Sequence, residues 1–80
     1  MSESIFIERI LAWMNRRVAP PGVTIEADTE LFAGGLIDSI RILYLIAWTE
    51  RETGRAIPDE RIRMDNFATA RRIAQTFAGA

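Results

Sequence analysis

One serine stands out as a residue that could take part in chemistry. Ser39 follows the glycine pair Gly34-Gly35 and opens an apolar run, within the segment GGLIDSI at residues 34–40. The chain contains no cysteine, histidine or lysine, so Ser39 has no imidazole or amine that could take its proton. A serine-dependent hydrolase is therefore disfavoured. The isolated hydroxyl is better suited to be a position that another enzyme modifies.

The composition limits the classes of protein to consider. A length of 80 residues predicts one domain, 1–80, and 49% hydrophobic with 26% charged residues predicts a globular fold. Ten arginines against eleven acids give a net charge of −1, which argues against nucleic-acid binding. Without cysteine no disulfide or zinc staple can form, and we expect no metal site. No basic leader and no apolar run of about 18 residues is present, so we expect a cytoplasmic protein without a membrane span.

The first part of the chain is predicted to form a helix followed by a long connection. Apolar side chains at three- and four-residue spacing predict a helix over residues 3–17, with Ser2 or Ser4 as its N-cap. Residues 19–37 begin with a proline pair and form the connection. Loops of this length in compact domains tend to be functional.

The second helix is predicted from Ser39 to Thr53, with Asp38 as its N-cap and Gly54 just past its end. Between residues 40 and 48 it is apolar on nearly all sides, and Arg41 is the only interruption. Three or four short helices cannot enclose such a helix. An exposed apolar face that begins near Ser39 therefore predicts a surface for a partner protein.

The last third of the chain is predicted to contain short turns and one more helix. Short turns or a one-turn helix are expected over 59–67, anchored in the core by three apolar side chains: Ile62, Met64 and Phe67. Thr69 is expected to cap a helix over about 70–78, and Gly79-Ala80 to fray. No strand-like alternation occurs anywhere, so the fold class is predicted to be all-α.

These features together resemble the family of acyl carrier proteins and peptidyl carrier proteins. The resemblance extends over nearly the whole chain and rests on GLIDS at 35–39, the apolar helix behind it, Gly54 with Ile57-Pro58, the lead-in Asp28-Thr29 with Leu31-Phe32, and Asn66-Phe67-Ala68-Thr69. It implies a small four-helix bundle with three main helices, one short helix and a long loop between the first two.

The resemblance also implies roles for particular residues. Ser39 would carry a covalent 4′-phosphopantetheine group taken from coenzyme A, and Asp38 would belong to the motif that the transferase recognises. A phosphoryl group on Ser39 would lie beside unpaired N–H groups at the start of the helix. Carried over by position, five residues would border the serine and meet partner enzymes: Leu36, Ile40, Leu43, Tyr44 and Ala47. Core packing is the alternative role for each of these five residues. Four other residues of the helix are expected in the core: Ile42, Leu45, Ile46 and Thr49. Trp48 is assigned to neither group.

The implied function is that of a monomeric carrier without catalytic activity. It would hold an acyl or aminoacyl group as a thioester and present it to partner enzymes. The partners would be a phosphopantetheinyl transferase, an acyl or aminoacyl ligase and downstream acyl-transferring enzymes. Arg41 and Arg51 make the second helix less acidic than that of fatty-acid-synthesis carriers, which favours a specialised or aminoacyl/peptidyl-type stand-alone carrier. The alternative is an unmodified helical adaptor that binds a partner through the second helix.

Overall fold

The chain folds into a small all-helical structure, as predicted. The computed structural model describes residues 2–78, and no strand forms among them. The helices are α1 (Glu3–Arg17), α2 (Arg41–Thr53) and α3 (Ala70–Ile73), which continues as a π-helical turn at Ala74–Ala78. Two 3₁₀ turns, Asp59–Arg61 and Met64–Phe67, stand where the short turns were predicted. In this part of the chain no helix has the length and hydropathy needed to cross a membrane.

Helix α1 has the bounds that the apolar spacing predicts. The Ser2 hydroxyl accepts a hydrogen bond from the Ile5 N–H at 3.2 Å, so Ser2 is the N-cap and Ser4 is not. The inward face of the helix consists of three fully buried side chains at four-residue spacing: Phe6, Ile10 and Met14. This spacing forms one stripe on a helix, which explains why the pattern predicts α1 so well.

Helix α2 packs antiparallel to α1 through an aromatic cluster. Arg9 pairs with Glu52 at one end of the contact. Trp13 stacks on Trp48 with ring centroids 5.6 Å apart, and Phe6 meets the same ring edge-on at 5.5 Å. Trp48, which the sequence left unplaced, is therefore a core residue with 6% of its surface exposed. Aromatic pairs of this kind add to the stabilisation from burial alone.

Polar side chains on α1 and α3 hold the long connection in place. The Asn15 side chain accepts a hydrogen bond from the Ile25 N–H at 2.7 Å and donates one to the Ile25 carbonyl at 2.9 Å. On the other side, the Arg71 guanidinium donates to both carboxylate oxygens of Asp28 at 2.7 and 3.1 Å. The loop that leads to Ser39 is thus fixed to two helices and is not a free linker.

The turns before α3 differ from the prediction in their packing. Phe67 is fully buried and packs against Phe77, with ring centroids 5.2 Å apart. Ile62 and Met64 were expected in the core but are exposed, Met64 by 65%. Because 3₁₀ turns this short follow the surface, only one of the three side chains reaches the interior. Thr69 caps α3 as predicted, by accepting from the backbone N–H three residues on at 3.0 Å. Residues 79–80, which were expected to fray, lie outside the described residues.

Candidate modification site at the start of α2

A tight turn around Leu31 delivers the candidate serine to the surface. Leu31 is fully buried, and its N–H donates to the Ala68 carbonyl at 2.9 Å. Its own carbonyl accepts from the N–H groups of Leu36 and Ile37 at 2.9 and 3.1 Å. The chain therefore folds back on a fixed point, buries Leu36 and Ile37, and then emerges at Asp38 and Ser39.

The glycine pair is required by the geometry of this turn. A Cβ atom on Gly34 would lie 2.7 Å from the backbone carbonyl oxygen of Glu30, closer than such atoms approach one another. Gly35 has a φ of +73°, a left-handed conformation that favours glycine. A larger residue would clash with the backbone at Gly34 and would be strained by the backbone conformation at Gly35. Both glycines therefore help to determine where Ser39 lies.

Asp38 caps α2, as predicted. Its Oδ1 accepts hydrogen bonds from the N–H groups of Arg41 at 2.8 Å and Ile40 at 3.0 Å, and its carbonyl accepts from the Ile42 N–H at 3.0 Å. The N–H groups of Arg41 and then of Ile40 hold the pKa of the Asp38 carboxyl below its usual value. Regular helix begins at Arg41, two residues later than predicted, because the Leu43 N–H donates to the Ile40 carbonyl at 3.1 Å, which is a turn and not an α-helical bond.

The cap also changes the expected surroundings of the serine. The sequence had suggested that unpaired N–H groups would lie beside a phosphoryl group on Ser39. The N–H groups of Ile40 and Arg41 are instead bonded to Asp38, so they are not free for this role. The Ser39 side chain itself is exposed, and among residues 2–78 its hydroxyl has no hydrogen-bond partner. The hydroxyl is therefore open to a modifying enzyme.

One face of α2 is exposed and apolar beside this hydroxyl. Ile40, Leu43 and Tyr44 expose 65%, 62% and 64% of their surface, and Ala47 is exposed as well. Together these four residues form what we term the α2 outer stripe. The opposite face contains the residues for which core packing was favoured: Leu45 and Thr49 are fully buried, and Ile42 and Ile46 are partly buried. The prediction of an exposed apolar face near Ser39 is confirmed as a feature of the fold.

Leu36 does not belong to this surface. The sequence grouped it with the partner contacts, but only 8% of it is exposed and it lies in the main core. The reason is the hydrogen bond from its N–H to the Leu31 carbonyl, which turns the side chain inward. Local spacing does not reveal this bond, because its acceptor lies in an irregular loop.

An apolar cleft of about 460 Å³ adjoins Ser39 on the side of the 3₁₀ turns. Its lining consists of Phe32, Asp38, Ser39, Ile42, Ile62, Arg63, Met64 and Phe67. Ile62 and Met64, the two side chains that the sequence assigned to the core, here form an exposed wall. No periodic signal marks them, because they come from short turns and not from a long helix.

The chain was also compared with known proteins. A family model described as the phosphopantetheine attachment site matches residues 9–77. None of the curated protein sequences compared with the chain matches it. Domains of this family carry a covalently attached 4′-phosphopantetheine group and do not catalyse reactions themselves. They meet phosphopantetheinyl transferases and acyl-handling enzymes. Because the match extends over most of the chain, the protein belongs to the phosphopantetheine-binding family of carrier proteins, as its resemblance implied.

Proposed function

We propose that Ser39 is the residue that carries the 4′-phosphopantetheine arm. The chain contains three serines. The hydroxyl of Ser2 caps α1, and Ser4 lies in the first turn of that helix. Ser39 differs from both, since its hydroxyl is exposed, free of hydrogen bonds within residues 2–78 and held on a turn that Asp38 stabilises. This free hydroxyl beside the α2 outer stripe is the observation on which the proposal depends.

The attachment step follows from the chemistry of the residues at the site. The Ser39 Oγ bonds to the phosphorus of the phosphopantetheinyl group while a P–O bond of the coenzyme A pyrophosphate breaks and adenosine bisphosphate leaves with the electron pair. The hydroxyl proton passes to the transferase. Asp38 is a poor base here, because two backbone N–H groups, both bonded to its Oδ1, lower its pKa. Once attached, the arm supplies the thiol that this chain lacks, and an acyl or aminoacyl group is carried on it as a thioester.

The protein's own contribution is tethering and recognition. Tethering raises the effective concentration of the carried group at each enzyme that the domain meets. Recognition would use the α2 outer stripe, whose apolar side chains begin next to Ser39. For this purpose we propose Ile40, Leu43, Tyr44 and Ala47 as contact residues and leave out the buried Leu36.

We further propose a specialised or aminoacyl/peptidyl-type carrier, not a carrier for fatty-acid synthesis. The first turn of α2 contains no acid and begins with Arg41, and Arg51 lies in its last turn. Because Glu50 and Glu52 only balance these two arginines, an enzyme that recognises an acidic second helix would meet a helix without net negative charge. Replacing both arginines by glutamate is expected to improve recognition by fatty-acid-synthase enzymes. Efficient elongation of malonyl groups by the unaltered protein would contradict this assignment.

Mass spectrometry tests the attachment site directly. The protein is incubated with coenzyme A and a broad-specificity phosphopantetheinyl transferase, and one phosphopantetheinyl group is expected to add. Ser39→Ala should show no gain, whereas Ser4→Ala is a matched control that should gain the same mass. A mass gain on Ser39→Ala would refute the assignment. No gain on the unaltered protein would favour the unmodified adaptor instead.

A further inference from the structure

Four arginines converge on one cleft between α1 and α2. The cleft has a volume of about 460 Å³ and lies along the contact between the two helices. Arg16 and Arg17 come from the last turn of α1, and Arg41 and Arg51 come from opposite ends of α2. The remaining lining residues are Trp13, Val18 and Tyr44, so no carboxylate faces the cleft.

The charges of these arginines are not neutralised within the structure. All four side chains are exposed, and none forms an ion pair with a carboxylate of residues 2–78. Of the two acids next to Arg51 in sequence, Glu52 is paired with Arg9, and Glu50 accepts a hydrogen bond from the Ile57 N–H at 2.8 Å. A chain with a net charge of −1 therefore presents a local concentration of positive charge on this side.

Helix stability explains only part of the arrangement. Cations favour the last turn of a helix, which suits Arg16, Arg17 and Arg51. Arg41 opens α2, where a positive charge opposes the helix dipole. Its guanidinium donates one hydrogen bond to the Leu36 carbonyl at 3.3 Å, which leaves most of its donors unused. Neither effect requires the four side chains to face one concave surface.

We infer that this arginine cleft is a docking surface for an acidic patch on a protein partner. Building on the proposed function, that partner is an enzyme that acts on the group carried at Ser39. Guanidinium groups bind carboxylates through paired hydrogen bonds, and Trp and Tyr are enriched where proteins meet. Tyr44 belongs both to the cleft and to the α2 outer stripe, and Arg41 is two residues from Ser39. A partner seated in the cleft would therefore lie next to the serine.

A protein partner suits the charge of the whole molecule better than a polyanion does. Binding to nucleic acid or to an anionic membrane depends on a broad excess of basic residues. Here the acids outnumber the arginines by eleven to ten, so the rest of the surface would repel such a ligand. A compact acidic patch that meets only the concave cleft avoids this repulsion.

The test is an NMR titration with a decaglutamate peptide as the acidic probe. Binding at low salt is expected to shift the indole N–H of Trp13, and a decaglutamine peptide should shift nothing. Replacing Arg41 and Arg51 by glutamine should weaken peptide binding about tenfold, which is about 1.4 kcal/mol. The control carries Arg61→Gln and Arg72→Gln, has the same net charge, and should bind within about twofold of the unaltered protein.

Several outcomes would overturn the inference. Equal losses in the two double variants would show that net charge matters and the cleft does not, and an unshifted Trp13 would show that the peptide binds elsewhere. Tighter binding of a thymidine 20-mer or of phosphatidylglycerol vesicles at the same indole would assign the cleft to a polyanion. Because the titration uses the unmodified protein, it is separate from the mass gain at Ser39. A mass gain without peptide binding overturns only the docking inference, whereas the absence of a mass gain overturns the proposed function.

Discussion

Two leucines on α2 allow the two faces of the helix to be separated experimentally. Leu43 and Leu45 are two residues apart and have the same side chain, but Leu43 is 62% exposed and Leu45 is fully buried. Leu45→Ala removes a core side chain and should cost about 3 kcal/mol of unfolding free energy. In a domain of this size that loss lowers Tm by about 12–24 °C. Leu43→Ala should cost about 0.5 kcal/mol and lower Tm by at most about 4 °C.

For the rate of phosphopantetheinylation the order is reversed: we expect Leu43→Ala to have the larger effect and Leu45→Ala the smaller one. Leu43→Ala removes an apolar contact from the α2 outer stripe, so kcat/KM for phosphopantetheinylation from coenzyme A should fall about tenfold. Leu45→Ala, assayed at a temperature where it remains folded, should stay within about twofold of the unaltered protein. Thermal denaturation followed by circular dichroism and initial rates of mass gain provide the two measurements.

The stability measurement and the rate measurement can each refute part of this reasoning. A larger Tm loss for Leu43→Ala than for Leu45→Ala would mean that the burial of the two faces is assigned the wrong way round. An unchanged rate for Leu43→Ala, or for the more disruptive Leu43→Glu, would remove the outer stripe from partner recognition. Ile40→Glu repeats the test closer to Ser39, where we expect the loss of rate to be at least as large.

Three further predictions concern the structure that positions the site. Gly34→Ala would place a Cβ 2.7 Å from the Glu30 carbonyl oxygen, so urea denaturation should show a loss of about 1–3 kcal/mol, and an unchanged midpoint would contradict the geometry. Asp38 has a lowered pKa, so its stabilising effect is present above pH about 4 and is lost as the pH falls through the folded-state value. Asp38→Asn should therefore lose less Tm between pH 7 and pH 3 than the unaltered protein. Asn15→Ala leaves the Ile25 N–H and carbonyl unbonded and should cost about 1–3 kcal/mol, with faster hydrogen exchange at Ile25.

Residues whose placement depends on local periodicity could be predicted from the sequence. The bounds of α1, the end of α2 before Gly54 and the caps at Asp38 and Thr69 all follow from spacing and from short-range hydrogen bonds. The buried face of α2 follows for the same reason, since Leu45 and Thr49 repeat at helical spacing.

Residues placed by irregular turns or by contacts with another helix were not predicted correctly. Leu36 is buried because a loop carbonyl fixes its backbone, and Trp48 is buried because α1 supplies Trp13. Met64 is exposed although Phe67 in the same 3₁₀ turn is fully buried, and no helical period marks this difference. Trp48 depends on a contact with another helix, whereas Leu36 and Met64 stand in irregular turns, so no helical period along one segment contains information about them.

The arginine cleft changes how the charge of the protein should be understood. A net charge of −1 suggests that partners are held by apolar contacts and that electrostatics matter little. That conclusion holds at long range, because fields are screened over about 8 Å at physiological salt and the molecule then appears nearly neutral. At contact distance a partner meets the four arginines of the proposed docking surface instead. Charge would then contribute little to the rate of encounter and much to the choice between acidic and basic partners, because an unmatched guanidinium in a closed interface is costly.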